Sequence, residues 1–203
     1  MTRIVRRGPA PSEARLAAIL VHGRGASADD ILPIAEETGL DDVAFLAPDA
    51  PGRTWYPNSF LSPLQENEPS LSAALQLIGS IVAELERDGV SHERIAFLGF
   101  SQGACLSLEF VARHARRYAA VVGLSGGLIG PPGTPRDYAG FLDRTPVFLG
   151  CSDVDPHIPL ERVHETADVF RELRANVDAR IYPGMGHMVN RDEVKAVRLL
   201  LGA

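Results

Sequence analysis

The segment Gly99-Phe100-Ser101-Gln102-Gly103 sets a serine between glycines at the end of the apolar run Ile95-Ala96-Phe97-Leu98. A sharp strand-to-helix turn at this point lifts the Ser101 hydroxyl above a sheet edge. It also puts that hydroxyl at the positive end of a helix opening on Gly103 and Ala104. Small residues are needed because a β-carbon at either glycine would strike the neighbouring strand or helix. A hydroxyl so placed suits attack on an acyl carbon. The bland alternative is a Gly-rich turn with a capping serine.

Serine at its free pKa is a poor nucleophile and needs a base held by an acid. On a strand–turn–helix scaffold of this kind the order is Ser, then Asp or Glu, then His. Four of the six histidines follow Ser101: His114, His157, His164 and His187. His114 and His164 fall in helical stretches and read as surface residues. His187 closes Tyr182-Pro183-Gly184-Met185-Gly186-His187, a loop whose glycines let it turn back over the strand ends, so His187 is the expected base. Asp153 and Asp155 both follow the apolar run 146–151, and residues two apart point to opposite sides. Asp155 is favoured because it lies further past the strand end, and Pro156 stiffens the turn that aims it. His157 is then expected at the surface or the pocket rim.

An oxyanion needs two N–H donors. The backbone of Gln102, next to the nucleophile, supplies one; the loop His22-Gly23-Arg24-Gly25-Ala26-Ser27 supplies the other, with Arg24 best placed. The Arg24 side chain has two readings, a grip on a substrate carboxylate or phosphate, and simple solvent exposure. His22 reads as a hydrogen-bonded residue beneath the loop. Around the acyl group, Trp55, Tyr56, Phe60, Leu61 and Met188 are the expected substrate contacts, with Met185 or Met188 beside the base, since small-ligand sites pair apolar walls with a few polar groups.

These residues need a scaffold that brings loops from distant strands to one edge. Near-continuous apolar runs at 16–22, 43–48, 95–100, 119–125, 146–151 and 178–182 read as parallel strands covered on both faces. Amphipathic stretches at 70–88, 102–117, 160–175 and 190–201 read as helices between them. Ser70 is the expected N-cap of the first, with Gly89 just past its end. Arg116 and Arg117 are expected to close the second, and Asn190 to open the last. The alternation predicts one α/β domain over residues 1–203, a mostly parallel doubly wound sheet. Residues 49–69 and 126–145 fit neither pattern and read as long loops over the site.

Composition removes other classes. Of 203 residues, 45% are hydrophobic and 23% charged, enough apolar surface for a real core. A net charge of −6 with no concentrated basic face argues against nucleic-acid binding. Arg3, Arg6 and Arg7 read as solvated terminal charge. The longest apolar stretch, Leu16 to Val21, is far short of the roughly 18 residues of a membrane span. No small-residue cleavage site follows it, so a cytoplasmic location is expected. Cys105 and Cys151 are expected to be inert core thiols. With no phosphate-cradling motif and no H-x-x-x-H or C-x-x-C pair, neither cofactor nor metal is expected.

The segments HGRGAS (22–27), APDAPGRTWY (47–56), GFSQGA (99–104), LSGG (124–127), DPHIP (155–159) and YPGMGH (182–187) resemble, in order, the phospholipase/carboxylesterase family of α/β-hydrolases. The resemblance implies an α/β-hydrolase fold, a triad of Ser101, Asp155 and His187, and an oxyanion N–H from Arg24. It implies a small-molecule ester substrate, with thioesters as the related class, and leaves room for a homodimer, since dimers are common in the family. Two departures, Arg24 itself and Trp55-Tyr56-Pro57-Asn58, point away from lipidated proteins and toward small esters. Lactone or C–C hydrolysis by the same triad, and a silent ligand receptor on the same fold, are the alternatives. The segment after the run 119–125 has no insertion of cap-domain size, which predicts an open, shallow pocket.

Overall fold

In a computed structural model, described for residues 2–203, seven strands form one sheet in the order β1-β3-β2-β4-β5-β6-β7. They are β1 (Ile4–Arg7), β2 (Leu16–Val21), β3 (Val43–Pro48), β4 (Ile95–Phe100), β5 (Ala120–Leu124), β6 (Pro146–Ser152) and β7 (Asn176–Tyr182). Six are parallel, and only β1 runs antiparallel, along the outer edge of β3. The five helices are α1 (Ala28–Glu36), α2 (Ser70–Arg87), α3 (Gln102–Arg113), α4 (Leu160–Glu172) and α5 (Arg191–Leu201).

The apolar runs are continuous because both sheet faces are covered. In β2, Ala17, Ile19 and Val21 face a layer built with α2, α3 and α4, while Leu16, Ala18 and Leu20 face α1 and α5. Fully burying one such aliphatic side chain contributes roughly 1.5–3 kcal/mol. The chain leaves β2 for β3 on one side and returns to β4 on the other. The crevice at the carboxyl ends of β2 and β4 is therefore a topological switch point, where α/β sheets hold ligands.

Several expectations change. Residues 4–7 form a strand rather than loose charge: Arg3 pairs with Asp29 and Asp49 at 2.9 Å each, and Arg6 with Glu84 at 2.8 Å. Helix α1 has no counterpart among the expected elements, and Pro33 inside it masks its pattern. Its start is signalled by Ser27 and Asp30, whose Oδ2 accepts the Ser27 N–H at 2.8 Å. Ser70 is the first residue of α2, whose N-cap is Pro69. Helix α3 stops at Arg113, where His114 leaves helical geometry (φ −121°, ψ 46°). Arg116 and Arg117 lie beyond it, on Glu86 and the Asp143 carbonyl. Asn190 caps α5 as expected, accepting the Asp192 and Glu193 N–H groups.

The connections 49–69 and 125–145 are loops, the first with two short 3-10 turns and the second with no helix. They are joined where the Gly130 N–H donates to the Phe60 carbonyl at 2.7 Å. Arg162, buried in α4, fastens the second loop through the Leu128 and Gly130 carbonyls at 2.6 and 2.7 Å. Among the described residues, no helix is long and apolar enough to cross a membrane.

Candidate active site

Ser101 stands at the junction of β4 and α3 with φ 54° and ψ −121°. A non-glycine residue in this region costs about 1–3 kcal/mol, and the surroundings hold it there. The Ser101 N–H donates to the Leu124 carbonyl at 2.9 Å, and its own carbonyl accepts the Cys105 N–H at 3.0 Å. The flanking glycines are dictated by contact. A β-carbon on Gly103 would sit 2.0 Å from the Val21 carbonyl oxygen, and one on Gly99 would sit 2.4 Å from that of Gly103.

His187 reaches this hydroxyl from the loop after β7. Its Nε2 is 2.9 Å from Ser101 Oγ and its Nδ1 is 2.7 Å from Asp155 Oδ2. The carboxylate selects the tautomer: Nδ1–H donates to Asp155, leaving the Nε2 lone pair to accept the Ser101 proton. Gly184 and Gly186 have φ of 65° and 79°, the left-handed conformation that turns this loop back over the sheet. The Phe100 ring lies 5.0 Å from the imidazole, and His157 meets it edge-on at 4.8 Å.

The Asp155 side chain is wholly buried. Burial opposes its ionisation, but hydrogen bonds from His187 and from the His157 and Ile158 N–H groups outweigh this and hold the carboxyl below its usual range. The Cys151 thiol also approaches Oδ2, at 3.8 Å. Asp153 points elsewhere and accepts the Gly184 N–H at 2.8 Å, while Ser152 Oγ accepts the Gly186 N–H at 3.0 Å. These two clamps were not anticipated. Only the nearness of both residues to the acid hinted at them.

The Arg24 N–H makes no hydrogen bond to the protein among the described residues, and the Gln102 N–H opens α3 with no acceptor in its helix. The loop carrying Arg24 is braced from beneath. His22 is fully buried, with Nδ1 2.7 Å from the Gly23 carbonyl and Nε2 accepting the Ala50 N–H at 3.0 Å. Burial lowers its pKa, and the Ala50 donor requires the neutral ring. The Gly25 N–H donates to the Arg53 carbonyl at 2.7 Å. The Gln102 side chain links α3 to the first long loop, accepting from the Trp55 N–H at 3.0 Å and donating to the Tyr56 carbonyl at 2.8 Å.

A cavity of about 460 Å³ opens onto Ser101 and His187, walled by Arg24, Tyr56, Phe60 and Ile158, with Cys105 in its lining. Of the expected substrate contacts, Tyr56 and Phe60 line it. Trp55, Leu61 and Met188 do not. Trp55 is core, its indole N–H donating to the His22 carbonyl at 2.8 Å beneath the loop that carries Arg24. Leu61 packs partly buried against the hydrophobic core, and Met188 is 54% exposed. His157 is exposed and also lines the cavity rim. The Arg24 side chain is exposed, as one of its two readings had it, but its head group is tethered: the guanidinium donates to the Pro57 and Asn58 carbonyls at 2.7 and 2.6 Å and meets no carboxylate among the described residues. Among the described residues, no cluster of three His, Cys, Asp or Glu could hold a metal ion.

Known proteins share this arrangement of elements. A crystal structure of a phospholipase/carboxylesterase from Dyadobacter fermentans superposes with a TM-score of 0.95 at 39% identity, covering 100% of this chain and 97% of that one. The Bacillus cereus carboxylesterase, at 18% identity, shares the fold with a TM-score of 0.79 over 100% of this chain and 94% of its own. Acyl-protein thioesterase 1 of Neurospora crassa is 27% identical over 97% of this chain and 91% of its own length. The family model described as Phospholipase/Carboxylesterase matches residues 8–202. The chain belongs to the phospholipase/carboxylesterase family of α/β-hydrolases.

Proposed function

We propose that the protein is a serine hydrolase that cleaves small carboxylic esters through an acyl-enzyme. The observation that carries this reading is the unbroken chain Asp155–His187–Ser101, with links of 2.7 and 2.9 Å. His187 Nε2 takes the Ser101 proton as Oγ bonds to the carbonyl carbon, and Asp155 stabilises the imidazolium. The carbonyl oxygen gains the negative charge between the Arg24 and Gln102 N–H groups. Collapse breaks the C–O bond to the alcohol, which leaves with the proton from Nε2. Water then repeats the sequence, giving its proton to His187 while attacking the acyl carbon and releasing Ser101.

The small-ester reading rests on a cavity of about 460 Å³ with a single arginine on its wall and no helical cap over it. Acyl-protein thioesterases among the relatives make thioesters the second class to test. A fluorophosphonate probe should label wild type but not Ser101→Ala, with His187→Ala labelled far more slowly. Equal labelling of wild type and Ser101→Ala would remove Ser101 as nucleophile. A series of p-nitrophenyl esters of rising acyl length, run beside acyl-CoA thioesters, then sets the substrate. Highest kcat/KM on the short esters supports the reading, and preference for long thioesters overturns it.

A further inference from the structure

Arg24 is the only formally charged side chain on the cavity wall among the described residues, in a chain whose net charge is −6. Two of its five guanidinium N–H donors are taken by the Pro57 and Asn58 carbonyls, which fix the head group without neutralising it. The guanidinium carbon is 6.0 Å from the centre of the Tyr56 ring, another wall of the cavity. Among the described residues no carboxylate pairs with it, whereas three other arginines around the two long loops have one. Arg53 has Asp30 at 3.4 Å, and both Arg136 and Arg162 share Glu165 at 2.8 Å. The Tyr56 hydroxyl is also fully buried, with only the Cys105 thiol beside it in the same lining and no nitrogen or oxygen partner among the described residues. A tethered cation without a carboxylate partner, on the wall of the cavity that opens onto Ser101, has the chemistry to receive an anion.

We propose that Arg24 selects esters whose acyl or alcohol portion carries a carboxylate, gripping it with the guanidinium donors that the Pro57 and Asn58 carbonyls leave free. A single planar fork matches a single carboxylate. This assignment rests on the ester-hydrolase reading above and narrows it to a substrate class.

The test uses the full chain in a pH-stat at low salt with two matched pairs. Monomethyl glutarate against methyl 5-methylhexanoate places the carboxylate on the acyl side. Carboxymethyl butyrate against isobutyl butyrate places it on the alcohol side. In wild type, kcat/KM should favour the anionic member of one pair by about tenfold, and 0.5 M NaCl should erode that preference. Arg24→Gln should abolish the preference, and Arg24→Lys should restore part of it. If Arg24 merely fastens the loop, Arg24→Gln will lower both members of each pair by the same factor, and the proposal falls. It falls equally if wild type shows no anionic preference in either pair, a result that needs no variant to fold. A preference seen only with 2-phosphoethyl butyrate assigns a phosphate and overturns the carboxylate. Failure of wild type to cleave any of these esters or the p-nitrophenyl series instead removes the ester-hydrolase reading itself.

Discussion

Asp153 Oδ1 accepts the Gly184 N–H at 2.8 Å, so the aspartate that does not touch His187 holds the loop that carries it. The two acidic residues of this turn divide one task. Asp155 meets the imidazole directly, and Asp153 sets where the imidazole can be.

That division predicts different kinetics for the two carboxamides. Asp155→Asn should lower kcat by about 10³–10⁴, because an amide cannot hold the Nδ1–H tautomer. Asp153→Asn keeps an oxygen that can accept the Gly184 N–H and should cost less than about tenfold. Asp153→Ala removes that acceptor and should fall between them. Steady-state hydrolysis of p-nitrophenyl acetate measures all three, and a larger loss in Asp153→Asn than in Asp155→Asn would exchange their roles.

That Ser101, Asp155 and His187 come together was legible in the sequence because each follows a strand, and parallel strands in an α/β sheet share one carboxyl edge. What the periodicity missed had local causes. Helix α1 is only nine residues with Pro33 inside, and β1 is four residues whose two arginines, Arg6 and Arg7, find their ion-pair partners at Glu84 and Glu36, 78 and 29 positions away. Pocket membership was the least legible. Trp55 and Tyr56 are adjacent, of like chemistry and both buried in the core, yet only Tyr56 lines the cavity, while the Trp55 indole N–H is turned to the His22 carbonyl.

The glycines should separate into two kinds. Gly103→Ala places a methyl 2.0 Å from the Val21 carbonyl, a backbone atom that cannot yield without moving β2. That variant should be recovered insoluble or lack a cooperative thermal transition. Gly186→Ala meets nothing within 4 Å and carries only the cost of its φ of 79°, about 1–2 kcal/mol. It should fold with a small drop in Tm but lose kcat disproportionately, since it precedes His187. Circular dichroism melts beside kcat measurements test this, and a soluble, active Gly103→Ala would contradict it.

Both thiols should be silent in the folded protein. Burial pushes Cys105 and Cys151 up to about 12, with the Asp155 charge adding to the effect at Cys151. At pH 8, Ellman's reagent should find no reactive thiol in native protein and two after denaturation. Fast reaction of one thiol in native protein would mean that the buried wall of the site opens to solvent.

Glu193 sets a pH dependence of stability. It is fully buried at the start of α5, with Oε2 accepting the Asn190 N–H at 2.8 Å and Oε1 lacking a hydrogen-bond partner among the described residues. Burial, with the nearby Asp192 charge adding to it, raises its pKa from 4.5 to about 7. Between those values the folded state keeps a proton that the unfolded chain has released. This contribution to stability is therefore full below pH 4.5 and lost as pH rises through about 7. The loss from this group alone approaches about 3 kcal/mol, an upper bound that structural relaxation reduces. Glu193→Gln keeps an oxygen for the Asn190 N–H and removes the titration. Urea unfolding at pH 5.5 and 8 should show the wild type losing stability relative to Glu193→Gln as pH rises, because comparison at each pH cancels the other titrating groups. A constant difference between the two proteins at both pH values would mean that Glu193 ionises in the folded state as readily as in water.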